Sequence, residues 1–166
     1  MVAGNVLTDS WWDIEKIPSS WYDGKNKKDH HWVFGCTLLN FEIKDIEQYL
    51  SNVKEAVEND RYRLDRNAKR QDNINLFLDY VIDESEAKQI ILSLTAMDFS
   101  MILQNEHKGY EHEKLYVFGK DVTLLERNGS EEKIVPLYIK FNMQDKCFVI
   151  VISFHEQKFP ITYYFR

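Results

Sequence analysis

The spacing of apolar residues between positions 42 and 59 constrains the fold more than any other feature of the sequence. Apolar side chains recur there at intervals of three and four residues, at Ile43, Ile46, Tyr49, Leu50, Val53 and Val57. This period places them on one face of an α-helix, which must be buried against the rest of a folded domain. The sequence therefore predicts an amphipathic helix over 42–59.

Short β-prone runs replace this helical spacing after Gly109. Turn residues separate the runs, with Gly119, Lys120 and Asp121 between the first two. This pattern predicts an antiparallel meander of strands over 115–118, 122–125, 135–143, 147–155 and 161–165. Helices followed by strands are typical of an α+β domain and not of a doubly wound parallel sheet.

The segments before Gly109 complete the predicted order of elements. A short strand is expected over 61–66 and helices over 67–81 and 87–94, with Asp83 as N-cap and Glu86 three residues on. Thr95 and Asp98 predict the cap of another short helix that continues to Leu103. Upstream, the aromatic segments 20–22 and 31–34 flank turn chemistry at 23–29, which predicts a β-hairpin. We therefore expect an N-terminal arm with an aromatic hairpin over 1–41 and an α+β domain over 42–166.

Composition limits the classes of function. The 166 residues carry a net charge of −6, and the sequence pI is near 5.4, which argues against a general nucleic-acid binder driven by charge alone. Cys36 and Cys147 lack metal-ligand spacing, and we expect both thiols to be reduced and buried. No long apolar stretch or secretory signal is visible, so we expect a cytoplasmic protein without a membrane partner.

A basic cluster and the predicted hairpin are candidate RNA contacts. The cluster consists of Arg61, Arg63, Arg66, Lys69 and Arg70. These residues could bind a phosphate at the start of the following helix. Alternatively, they form a solvent-exposed surface whose charges pair with nearby aspartates. The hairpin combines aromatic with basic residues, namely Trp21, Tyr22, Lys25, Lys27, Lys28, His30, His31 and Trp32. Bases stack on such rings while ammonium groups meet phosphates, although the same hairpin also suits packing on its own domain or on a protein partner.

The histidines His107, His112 and His155 lie near several glutamates in the second half of the chain. Metal-free RNA cleavage needs a base, an acid and a cation near the scissile phosphate, and His, Glu, Tyr, Lys and Arg share these roles near neutral pH. A strand-end histidine such as His155 is also a common structural residue. The His and Glu spacing matches no strong metal motif, so we expect neither a metal nor a cofactor.

Four stretches of the chain carry a resemblance to a known family. They are AKQIILSLTAMDF at 87–99, HEKLYVFGKDV at 112–122, PLYIKF at 136–141 and VIVISFHE at 149–156. Over about 42–166 the chain resembles the MqsR family of bacterial toxins, which are mRNA interferases of RelE-like α+β fold. The resemblance implies a catalytic set of Glu113, Tyr138, Lys140 and His155. A further family lysine, expected on a helix after the Asp-Phe pair, falls on Met101, so that contact is missing here.

The N-terminal arm and the acidic charge depart from the toxin pattern. In these respects the chain resembles type II-A anti-CRISPR proteins that carry an N-terminal hairpin and truncate the guide RNA of a CRISPR effector nuclease. The leading sequence hypothesis is therefore a metal-independent endoribonuclease that acts on guide RNA held by that effector in a bacterial host cell. One alternative is an MqsR-type toxin that cleaves mRNA and has an antitoxin partner. The other is an inhibitor without enzymatic activity that blocks RNA or DNA binding by its partner.

Overall fold

Three α-helices and five β-strands make up the part of the chain that the computed structural model describes, residues 40–129, 131–144 and 147–166. Residues Phe41–Arg166 form one compact unit. The predicted hairpin and its eight candidate RNA contacts lie outside the described residues, as does Cys36. The helices are α1 (Ile43–Glu58), α2 (Gln71–Asp79) and α3 (Glu84–Leu92), and the strands are β1 (Tyr62–Leu64), β2 (Phe99–Gln104), β3 (Lys114–Leu125), β4 (Glu132–Gln144) and β5 (Phe148–Glu156).

Helix α1 confirms the prediction made from apolar spacing. Its buried face consists of Ile46, Leu50, Val53, Ala56 and Val57. The helix ends where Asp60 adopts a φ of 55°, which allows the Arg61 N–H to donate to the Ala56 carbonyl at 2.8 Å. This left-handed residue turns the chain directly into β1.

The predicted capping signals are present, but two helices are shorter than expected. Asp83 and Glu86 form a reciprocal capping box at the start of α3. Thr95 and Asp98 form the same motif, yet the helix they cap is a single 3₁₀ turn, Ala96–Asp98, and the chain then enters β2 instead of remaining helical to Leu103. Helix α2 begins later than predicted because residues 67–70 form a turn, in which the Arg70 N–H donates to the Asn67 carbonyl at 2.8 Å.

The strands form one mixed sheet in the order β1-β5-β4-β3-β2. Strands β2 to β5 are an antiparallel meander, whereas β1 pairs with β5 in parallel, so the expectation of a purely antiparallel sheet is wrong at this edge. The runs predicted at 115–118 and 122–125 belong to the single strand β3. Residues 161–165 are not a strand, although the Tyr164 N–H donates to the Phe99 carbonyl at 2.9 Å.

Gly119 explains why β3 was predicted to be broken. A Cβ atom at this position would lie 2.5 Å from Ile161 Cδ1 and 2.8 Å from the Tyr163 hydroxyl. The glycine therefore makes room for the C-terminal segment 157–166, which crosses the sheet at this point, and it does not mark a turn. None of the helices in the described ranges combines the length and apolar character that a membrane crossing requires.

The two faces of the sheet differ in what covers them. The helices pack on the first face, where Val135, Leu137, Ile139 and Phe141 of β4 join Val149, Val151 and Phe154 of β5 in the hydrophobic core. The alternate residues of β3, β4 and β5 form the opposite side of the sheet, which we call the second face. They are Leu115, Val117 and Gly119 of β3, Tyr138, Lys140, Asn142 and Gln144 of β4, and Ile150, Ser153 and His155 of β5.

A β-bulge in β5 changes which residues reach each face. Phe141 pairs with Val151 but Lys140 pairs with Ser153, so Ile152 is an extra residue. The Asn73 side chain of α2 donates to the Ile152 carbonyl at 3.0 Å and accepts from the Phe154 N–H at 2.9 Å. Its amide also donates to the Asp65 carbonyl at 2.6 Å, just after β1 ends. Because β1 is too short to pair with this part of β5, the Asn73 side chain supplies the hydrogen-bond partners of these backbone groups. It also attaches α2 to the bulge.

We expect Asn73→Ala to lower the free energy of unfolding by about 2 to 4 kcal/mol, because it leaves three buried backbone groups without a partner. Urea denaturation of the full chain measures the change. Asn75→Ala is the matched control, since Asn75 is an exposed amide on the same helix. Equal unfolding midpoints for the two variants would contradict the role assigned to Asn73.

Candidate functional site

Tyr138 and His155 form a stacked pair on the second face. They are direct cross-strand partners of β4 and β5, with ring centroids 5.2 Å apart and an interplanar angle of 19°. Both side chains are half-buried, so part of each ring reaches solvent. The pair places an imidazole beside a phenol at the end of β5.

Lys140 and Ser153 are the next cross-strand pair along the same face. Lys140 is only 2% exposed and Ser153 is 5% exposed. A lysine is rarely buried to this extent unless its charge is compensated, so its position in the centre of a sheet is a feature that core packing alone does not explain. Tyr138, Lys140 and His155 of the predicted catalytic set thus lie in two adjacent rows.

The surroundings of His155 favour its neutral form. Burial is the largest influence and lowers the pKa of the imidazole below its usual value of 6.5. The hydrogen bond to the Glu156 carbonyl and the charge of Asp72 raise that pKa, whereas the charges of Lys158 and Lys140 lower it further. The ring is therefore neutral at pH 7.

The hydrogen bond to Glu156 also defines which nitrogen of His155 is basic. Nδ1 lies 2.8 Å from the Glu156 carbonyl oxygen, which can only accept. Nδ1 therefore carries the proton and donates, so Nε2 holds the lone pair. A neutral imidazole with Nε2 as its basic nitrogen is suited to take a proton from a bound hydroxyl.

Glu113 lies away from the other three predicted catalytic residues. Its Oε2 accepts from the side-chain amides of Asn105 and Asn142, both at 2.6 Å, and its Oε1 accepts from the Gln144 amide at 3.0 Å. Burial acts to raise the pKa of this carboxyl, but the three amide hydrogen bonds outweigh it and the pKa is lowered. Glu113 is consequently ionised at neutral pH, and it connects the β2–β3 loop to β4.

The separation between Glu113 and His155 follows from strand geometry. Asn142 and Gln144, which contact Glu113, lie four and six residues along β4 from Tyr138. At the usual rise of a strand this is about 13 to 20 Å. Glu113 and His155 therefore do not face the same phosphate, and the expectation that they act as a base and acid pair has no geometric support.

The five residues of the predicted basic cluster lie in different surroundings. Arg63 pairs with Ile150 in the sheet and lies on the second face, with its guanidinium 3.8 Å from Asp65. Arg61 pairs with Glu55 at 3.3 Å and Arg66 with Glu84 at 3.2 Å. Lys69 is exposed and Arg70 is half-buried in the turn before α2. Because exposed ion pairs contribute little, these arginines remain able to exchange a carboxylate for a phosphate.

The remaining predicted features lie elsewhere. His107 and His112 are exposed in the loop between β2 and β3. Met101 lies on β2 and not on a helix. Cys147 is exposed, so the expectation of a buried thiol is wrong for this residue. Within the described ranges, no group of three or more His, Cys, Asp or Glu side chains is arranged to hold a metal ion.

Several polar residues that organise the site are absent from the set predicted from the sequence. Asn142 and Gln144 follow Tyr138 and Lys140 at every second position of an otherwise apolar strand. This period-two pattern is a visible signal that four polar side chains share one face. Asn73, Asn105 and Ser153 give no comparable signal, because their roles depend on a bulge and a loop that bring distant segments together.

Comparison with known proteins adds no relative: no family model, curated protein or solved structure matches this chain.

We expect His155 to titrate with a midpoint below 6.5, and Asp72→Asn to lower that midpoint further. The substitution removes the negative charge that favours the imidazolium, and it also releases Lys158, whose Nζ lies 2.9 Å from Asp72. NMR of the imidazole ring over pH 4 to 8 measures both values, with Asp79→Asn on the same helix as the control. A midpoint above 6.5 in the wild type, or a rise in the Asp72 variant, would contradict the electrostatics described here.

Proposed function

We propose that residues 41–166 are a metal-independent endoribonuclease domain, similar in fold and reaction to the MqsR toxins and acting on single-stranded RNA. The Tyr138–His155 stack above buried Lys140 is the observation that carries the proposal. It brings a neutral base, a phenol and an ammonium group to one face of a sheet, and Arg63 adds a guanidinium on that face. An endoribonuclease of this class also agrees with the α+β order of the secondary-structure elements and with the resemblance to the MqsR family over 42–166.

The geometry suits cleavage by the neighbouring 2′-hydroxyl of the RNA. His155 Nε2 accepts the 2′-hydroxyl proton, the 2′ oxygen bonds to phosphorus, and the bond from phosphorus to the 5′ oxygen breaks. The 5′ oxygen leaves with a proton from water, and a 2′,3′-cyclic phosphate remains. Tyr138 and Lys140 stabilise the charge that develops on the phosphate oxygens, and Arg63 holds the flanking backbone.

Glu113 has a different task in this proposal. Its carboxylate is held by three amides and lies about 13 to 20 Å along β4 from His155. It orders the β2–β3 loop beside the RNA path and does not exchange protons with the scissile group.

Messenger RNA is the substrate that the described residues favour, with the protein acting as a toxin in the cytoplasm and an antitoxin as its partner. All of the site residues lie in the segment that resembles the MqsR family. The guide-RNA hypothesis depends chiefly on the predicted hairpin, which lies outside the described residues.

Guide RNA held by a type II CRISPR effector is the second candidate substrate, and the charge distribution is the observation that favours it. The chain carries a net charge of −6, and Arg61 and Arg66 are paired with glutamates. This acidic balance disfavours the capture of free RNA by charge alone, so an RNA already bound to a partner protein would be the more accessible substrate.

We expect His155→Gln to slow RNA cleavage in excess chelator by about 10²- to 10⁴-fold, because the variant lacks the general base. The rate should fall as the pH drops through the lowered pKa of His155, since only the neutral ring accepts the proton. Denaturing gels of mRNA, and of guide RNA with and without the effector nuclease, measure the cleavage.

His107→Gln is the matched control, because His107 is an exposed loop histidine. Circular dichroism of both variants verifies that they fold. Cleavage of naked mRNA supports the toxin function, and cleavage only in the presence of the effector supports the anti-CRISPR function. Equal cleavage by wild type and His155→Gln would refute the assignment of His155, and intact RNA with the wild-type protein would leave an inhibitor that acts without catalysis.

A further inference from the structure

A cavity lies at the opposite end of β4 from the Tyr138–His155 stack, and its aromatic wall is on the helix-covered first face of the sheet. It has a volume of about 390 Å³ and opens between α1 and the adjoining ends of β3 and β4. The proposed cleavage chemistry does not use it. Its walls include Tyr49, Asn52, Glu113, Tyr116 and Gln144.

Two stacked tyrosines supply the aromatic part of the cavity wall. The rings of Tyr49 and Tyr116 are 3.6 Å apart between centroids and 10° from parallel. Flat aromatic surfaces of this kind hold nucleobases by stacking and by contact with ring edges. Among the described residues, none forms a hydrogen bond with the buried Tyr49 hydroxyl, and a buried polar group without a partner is costly.

The polar part of the wall combines an acceptor with a donor. Glu113 Oε1 accepts one hydrogen bond, from Gln144, and a carboxylate oxygen can accept two. Asn52 Oδ1 accepts from the Gln48 amide at 3.2 Å, so the Asn52 amide nitrogen remains available as a donor. A nucleobase presents donors and acceptors side by side on its Watson–Crick edge, and this arrangement is complementary to that edge.

An imidazole and an ammonium group stand at the rim of the cavity. His112 and Lys114 line it and are exposed. They flank the acidic Glu113 and can meet the phosphate attached to a bound nucleoside. The cavity therefore offers a contact for each part of a nucleotide.

We propose that this cavity binds a single nucleobase, as a subsite for a nucleotide that flanks the cleavage position. The proposal rests on the proposed function for its source of the base. Because the cavity lies about 20 Å along β4 from His155 and its aromatic wall is on the other face of the sheet, the bound nucleotide is several positions from the scissile phosphate. A free nucleotide carries the same chemistry and is the other source of the ligand.

The test titrates the four nucleoside 5′-monophosphates into the full chain and follows NMR signals of α1 and β3. We expect at least one of them to bind, with an affinity about tenfold weaker in Asn52→Ala because the donor to the base edge is lost. Ser51→Ala is the control, since Ser51 is exposed on the same helix and does not line the cavity. Alanine preserves the helix in both variants.

A second arm compares the cleavage positions that wild type and Asn52→Ala select in the same RNA. A changed preference at one flanking nucleotide assigns the subsite to RNA, whereas nucleotide binding without such a change assigns it to a free nucleotide. If the wild type cleaves no RNA, the proposed function fails, and the titration alone still decides the subsite. Absence of binding by all four mononucleotides, or equal binding by wild type and Asn52→Ala, overturns the proposal.

Discussion

The β-bulge at Ile152 and the Asn73 side chain that holds it determine which residues of β5 meet the rest of the site. Val149 and Val151 point into the core, so uninterrupted alternation would also bury Ser153 and His155 among the helices. The extra residue reverses the phase, so that Phe154 enters the core and His155 meets Tyr138. A bulge leaves backbone groups unpaired, and Asn73 accepts and donates at those positions. One buried amide thus connects the packing of α2 to the chemistry of the second face.

The second face has two polar centres of opposite character. At one end, burial and neighbouring lysines keep His155 neutral, and Lys140 contributes a buried positive charge. At the other end, three amides and the charge of His112 keep Glu113 ionised. The first centre is suited to proton transfer beside a phosphate, and the second to recognition of hydrogen-bond donors. Buried Lys140 and Asn142 lie between the two centres on β4.

The elements that depend on local sequence were predictable. The spacing of Ile46, Leu50 and Val53 identified α1, and the Asp83 and Glu86 pair identified the start of α3. The parallel pairing of β1 was not predictable, because it joins residues more than eighty positions apart through a three-residue strand. Gly119 was misinterpreted as a turn for a related reason: the segment that requires a glycine there lies some forty residues further along the chain.

The candidate site was predictable in its residue types but not in its grouping. Tyr138, Lys140 and His155 followed from the resemblance, and the structure places them in adjacent rows. Glu113 was assigned to the same group, whereas the amides of Asn105, Asn142 and Gln144 hold it at the other end of β4. The partners of a carboxylate are set by tertiary contacts, which a single sequence does not display.

The central claim is that RNA binds at the Tyr138–His155 end of the second face, where part of each ring reaches solvent. Its most direct test is NMR mapping of the full chain with a single-stranded RNA whose 2′-hydroxyls are methylated, since this RNA binds but cannot be cleaved by its own 2′ oxygen. We predict that the largest shifts occur at Tyr138, Ser153 and His155. Shifts confined to the exposed surfaces of α2 and α3, with those three residues unchanged, would contradict the account.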